Sequence, residues 1–146
     1  MNMNGSNVDT TTADLGATLL RVSLGIMYLA HSILLKVYLF GLAGVAEWFE
    51  YVLMLPPFLA YVVFGLEVVG GVLLILGVYS RLVALALIPI LIGTIFYVHG
   101  VVGWEFSGEG GGWEYPAFLI VVSIAIALIG DGRFSLCPTV FPLKKK

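Results

Sequence analysis

The sequence is short of charge. Asp, Glu, Lys and Arg make up 11% of its 146 residues, against about 25% in a typical soluble domain. A surface so poor in charge excludes an ordinary water-soluble fold. The net charge of −2 gives no basic footprint for nucleic acid. Cysteine is nearly absent: Cys137 stands alone, so there is neither an internal disulfide nor a CxxC redox pair, and it reads as a plain thiol. The first fourteen residues hold Asp9 and Asp14 but no Lys or Arg. They lack the basic start of a secretory signal, and the apolar run that follows is too long and has no small-residue cleavage site. That run reads as a retained helix. No nucleotide fingerprint or flavin site is recognisable.

What is abundant is apolar. Hydrophobic residues reach 60% and the mean hydropathy is +1.07. Four runs stand out, at 15–35, 57–79, 82–101 and 115–130, and a membrane span needs about 17–25 residues. The fourth reaches that length only if Trp113 and Glu114 join it. Pro56-Pro57 opens the second run and Ser80-Arg81 links it tightly to the third. Glycines at 108 and 110–112 loosen the chain before the fourth, where Pro116 suits a first helical turn. Pro89 is expected to kink the third. The fold class expected is all-α: a membrane four-helix bundle of four transmembrane helices with both termini inside. A polar tail (1–14) precedes the helical domain (15–136), and a basic tail (137–146) follows it.

Orientation follows Lys and Arg. With four spans, Arg21, Arg81, Arg133, Lys144, Lys145 and Lys146 fall on one side, and only Lys36 on the other, among Glu47, Glu50, Glu105 and Glu109. The basic side is the cytoplasmic one. Within the first outer loop (41–55), Val45, Phe49 and Val52 recur at helical spacing, so a short interfacial helix is expected there. Trp48, Trp104, Trp113 and Tyr115 fall near the outer boundary and read as an aromatic belt.

Ionisable groups inside a bilayer are costly and usually face the bundle interior. Counted from the inner helix ends at about 1.5 Å per residue, His31 lies about 24 Å along the first helix, Glu67 about 21 Å along the second, His99 about 25 Å along the third and Glu114 about 25 Å along the fourth. Each helix thus contributes one polar group at nearly one level. Arg21, Gly25, Tyr28 and Ser32 follow helical spacing on the first helix, with His31 bordering that stripe. Glu67 shares a face with Gly70 and Gly71, where a neighbouring helix can approach closely. Lys36 either counters a carboxylate or snorkels to the headgroups; Arg21 reads chiefly as a positive-inside anchor.

Two histidines and two carboxylates can pass protons, ligate a metal or hydrogen-bond the two oxygens of a quinone with Tyr28, Trp104 and Trp113 nearby. They can also act only as polar glue between helices. No Glu-x-x-His pair occurs, which counts against a di-iron centre; a single-metal site at His31, Glu67, His99 and Glu114 stays open.

The chain resembles the DoxX family of small membrane proteins. The matching stretches are Leu20-Arg21 with Gly25, His31 followed by Lys36, GLEVVGG (65–71), LGVYSR (76–81), His99, Glu114-Tyr115-Pro116 and GDGRFSL (130–136). The resemblance implies a four-helix membrane bundle in the cytoplasmic membrane of a prokaryote. Through the family's namesake, associated with a quinone-linked oxidoreductase, it also implies a redox setting. Ser32 stands where the family pattern would place a small glycine.

The expected function is a component of a membrane oxidoreductase system that handles quinone. In it Glu67 is the catalytic proton donor or acceptor, and His31, His99, Glu114, Tyr28 and Lys36 bind ligand. The alternatives are a non-catalytic assembly partner or small carrier for a redox enzyme, and metal handling through the His/Glu layer. The partners expected are lipid, another redox subunit and copies of the same chain.

Overall fold

The computed structural model describes residues 10–100, 102–108 and 110–140, and of Thr10 the backbone alone. Asp9, Glu109 and the lysines at 144–146, which entered the charge census, lie outside the described residues.

The described chain is all-helical. Helix α1 (Thr10–Ala30) continues as a π-helical stretch, His31–Leu39. A short α2 (Leu42–Tyr51) follows, then α3 (Phe58–Leu76) and α4 (Ser80–Thr94), which ends in a second π-helical stretch, Ile95–His99. Helix α5 is Glu114–Ile129. Among the described residues there is no strand, only one isolated bridge between Val78 and Cys137. Three continuous helices, Thr11–Leu39, Phe58–Leu76 and Ser80–His99, are long and apolar enough to cross a membrane, and Glu114–Ile129 is a shorter apolar helix. The short helix expected in the first outer loop is α2.

The long helices pack side by side, α1 on α3, α3 on α4, α4 on α5 and α5 back on α1, with α2 against α3. The core holds Leu24, Tyr28, Leu74, Ala84, Leu87 and Ile126. The outward faces stay apolar: Leu19, Phe96, Phe118 and Leu128 are each more than 60% exposed. Such faces are stable against lipid rather than water.

Gly25 and Gly71 bring α1 and α3 together. A Cβ on Gly25 would lie 2.7 Å from the Gly71 carbonyl oxygen, and one on Gly71 would lie 2.9 Å from that of Gly25. The stripe read on the first helix is the buried one: Arg21, Gly25, Tyr28 and Ser32 all face inward.

Arg21, expected as a positive-inside anchor, is built into the helix ends. It is 1% exposed, and its Nη1 donates to the carbonyls of Leu74 (2.7 Å) and Ile75 (2.8 Å) while Nη2 donates to that of Arg133 (3.2 Å). Helix α3 ends at Gly77, whose φ of +72° permits the reversal, with Val78 N–H on the Leu73 carbonyl. The cation satisfies carbonyls left over at that end and complements the helix dipole. The segment after α5 folds over the same helix ends. Arg133 N–H donates to the Asp14 carbonyl, Thr18 Oγ1 donates to the Arg133 carbonyl, and Asp131 accepts from the Thr139 N–H and hydroxyl. The start of α1 and the segment following α5 therefore meet at one end of the molecule. Pro89 lies inside α4, which stays helical on both sides of it.

Candidate functional site

At the opposite end from Arg21, a cavity of about 650 Å³ opens between α1, α2, α3 and the end of α4. Its chemistry begins with the winding of α1. A π-turn closes one residue later than an α-turn, so residues five apart stack. Phe40 N–H accordingly donates to the carbonyl of Leu35. His31, Lys36 and Phe40, spread around an α-helix, come to one side and all line the cavity. The same widening at the end of α4 brings Thr94 and His99, five apart, to the cavity wall.

Glu67 is the buried centre of the site, 4% exposed. Its Oε2 accepts from Lys36 Nζ at 2.5 Å and from Ser32 Oγ at 2.6 Å. Burial of a carboxylate is tolerable only with such partners. Lys36 therefore counters a carboxylate and does not snorkel. Ser32 proves to be a ligand of Glu67, a role that its resemblance to a small-residue position concealed. His31 is exposed on the cavity wall, within electrostatic reach of Glu67, Lys36 and His99. His99 Nδ1 is 2.6 Å from the Gly111 carbonyl oxygen; a neutral ring donating there would leave Nε2 as an acceptor.

The remaining wall is apolar and aromatic: Leu35, Phe40, Val45, Trp48, Phe49 and Val63. Trp48 and Phe49 meet edge to face at 6.0 Å. Sequence reasoning assigned Trp48 to the membrane belt and missed that α2 folds back to roof the cavity. The only signal was the helical spacing of Val45 and Phe49.

The expected layer is thus divided. Structure brings together Glu67, His31, His99 and Lys36. It places Glu114 apart, in a second groove with Trp104 and Tyr115, and it sets Tyr28 behind the cavity wall. Tyr28 is 2% exposed, its hydroxyl has no hydrogen-bond partner among the described residues, and Glu67 and Tyr115 are its electrostatic neighbours. Trp104 and Trp113 meet edge to face instead of lining the cavity, with ring centroids 4.5 Å apart. Among the described residues no three His, Cys, Asp or Glu side chains group closely enough to hold a metal ion. An apolar cavity with a few convergent polar groups is the usual form of a site for an organic molecule.

A DoxX family model matches residues 16–100, which carry His31, Lys36, Glu67 and His99. The chain belongs to the DoxX family. A Bacillus subtilis (strain 168) protein named "Putative oxidoreductase CatD" is 36% identical to this DoxX protein over 132 residues, 90% of this chain and 92% of the relative. No solved structure matches. All the cavity's polar groups lie in the DoxX-matched region, whereas Glu114 lies outside it.

Proposed function

We propose that this DoxX protein binds the head group of a quinone in the cavity beside Glu67 and serves as a component of a membrane oxidoreductase system. It crosses the cytoplasmic membrane of a prokaryote with α1, α3, α4 and α5, both termini inside. The observation that carries the reading is the composition of one cavity: about 650 Å³, walled by Phe40, Trp48 and Phe49, with His31, Lys36, Glu67 and His99 on its polar side. A flat aromatic ring with two carbonyl oxygens suits such a space. The rings stack, His31 hydrogen-bonds one oxygen of the quinone, His99 Nε2 accepts from a hydroxyl of the quinol, and the Lys36–Glu67 pair sets the local charge.

Reduction of a quinone to a quinol takes up two electrons and two protons. The chain's part is the protons: both enter from water through the cavity, one relayed by Glu67, whose carboxylate takes it up and hands it to the bound head group while Lys36 holds it in place, the other passing directly to the second oxygen. The electrons come from a separate redox subunit, which fits the lack of a CxxC pair or a flavin site in this sequence. The membrane setting draws support from the apolar outward faces and from the end at which Arg21, Arg81 and Arg133 gather.

Trp48 provides the test. Titration of the purified protein with a short-chain benzoquinone should quench Trp48 fluorescence saturably, and Trp48→Phe should remove the saturable component. His31→Ala should weaken binding about tenfold, the loss of one good hydrogen bond in a dry site. Quenching that never saturates, or that survives Trp48→Phe unchanged, would rule the cavity out. Saturable binding without turnover, even when electron donors are supplied, would favour a carrier or assembly partner.

A further inference from the structure

The second groove has a composition of its own. It measures about 520 Å³ beside the first turns of α5 and is lined by Trp104, Phe106, Glu114, Tyr115, Phe118 and Val121 among others. Its aromatic wall is held in place. Trp113 N–H donates to the Gly103 carbonyl and Glu114 N–H to that of Trp104, both at 3.1 Å. Trp104 packs edge-on against Trp113, and Phe106 meets Tyr115 at 5.3 Å.

The Glu114 side chain has no hydrogen bond or ion pair among the described residues. A carboxylate in the first turn of a helix is stabilised by the helix dipole, which explains a negative charge there. It does not explain four aromatic rings sharing the groove with it. Aromatic faces and a carboxylate together attract an organic cation. From the groove an apolar stripe runs down α5: Phe118, Val121, Ile124 and Leu128 are exposed at 63%, 61%, 42% and 76%. A ligand that fits both parts carries an ammonium at one end and a hydrocarbon chain at the other.

We propose that this groove binds a phospholipid with an amine-bearing zwitterionic headgroup. Its ammonium sits against Glu114 among Trp104, Phe106 and Tyr115, and one acyl chain lies along Phe118, Val121, Ile124 and Leu128. A primary ammonium donates hydrogen bonds to the carboxylate and meets the ring faces at once. Phosphatidylglycerol brings no ammonium, and its net negative charge is repelled by Glu114. A second copy of the chain fits less well, because a two-fold contact over this groove sets two Glu114 carboxylates in one interface with nothing to neutralise them.

The experiment is native mass spectrometry of the full-length protein in mild detergent with an equimolar mixture of phosphatidylethanolamine and phosphatidylglycerol bearing the same acyl chains. The wild type should retain the ethanolamine lipid at least fivefold over the glycerol lipid. Glu114→Gln should bring the ratio close to one. Glu105→Gln, which changes a loop carboxylate that bonds Ser107 outside the groove, should leave the preference intact. Equal retention by the wild type overturns the proposal without reference to any variant. A preference that survives Glu114→Gln overturns it as well, as does a dimer that holds no lipid and dissociates on Phe118→Ala.

Discussion

Lys36 Nζ and Glu67 Oε2 lie 2.5 Å apart across the α1–α3 interface, with side chains 12% and 6% exposed. Ser32 and Lys36, four residues apart, share one face of the first helix and reach Glu67 together. Taking away one member of a buried pair strands the other, while removing both restores neutrality. Glu67→Leu and Lys36→Met should each destabilise the protein by about 1–4 kcal/mol, and the double variant should recover about 1–3 kcal/mol of the summed loss. Thermal unfolding of the four proteins in one detergent measures it; strictly additive losses would mean the pair makes no net coupling.

Arg21 closes the other end. It donates to three carbonyls, those of Leu74, Ile75 and Arg133. Arg21→Met should cost about 3–5 kcal/mol, since several charge-assisted bonds to buried carbonyls are lost together. Arg21→Lys should fall between, because a point charge cannot fork across separated acceptors. The comparison of unfolding midpoints tests both, and an Arg21→Met protein as stable as wild type would contradict the capping role.

The glycines of α1 and α3 separate into two kinds. At Gly25 an added methyl would meet the Gly71 carbonyl at 2.7 Å, whereas at Gly65 it would meet nothing within 4 Å. Gly25→Ala should therefore destabilise by about 1–3 kcal/mol through overpacking. Gly65→Ala should be neutral or stabilise by up to about 1 kcal/mol through helix propensity. Parallel thermal melts distinguish the two, and equal effects would mean that the close helix contact is not maintained.

Much of this was legible in the sequence because helical period and hydropathy carry it. The inward stripe Arg21–Gly25–Tyr28–Ser32 needs only a 3.6-residue repeat, and the close approach at Gly71 needs only small residues near Glu67. Depth counting places His31, Glu67, His99 and Glu114 at nearly one level, and the first three line one cavity, but depth fixes no rotation about the helix axis. Rotation is what separates Glu114 and Tyr28 from the cavity. The π-helical turns were not legible, because no residue type marks them, and they bring His31 to the cavity side that Lys36 and Phe40 share. Nor was the role of Arg21, since a basic residue near a helix end satisfies the positive-inside pattern whether it faces headgroups or buried carbonyls.

His31 and Glu114 offer a direct contrast between the two concavities. His31 lines the cavity and Glu114 the groove. His31→Ala should weaken benzoquinone quenching of Trp48 while leaving retained lipid unchanged, and Glu114→Gln should do the reverse. If Glu114→Gln weakens quinone binding as much as His31→Ala does, the two spaces act as one site.

The central claim is that the cavity beside Glu67 holds a quinone. Mass spectrometry of the molecules that co-purify in mild detergent tests it most directly, with wild type set against a folded Glu67→Gln variant and metals measured in the same samples. Occupancy of the cavity predicts quinone near one per wild-type chain and its depletion in Glu67→Gln. Wild type free of quinone, or quinone retained equally by both proteins, would contradict it.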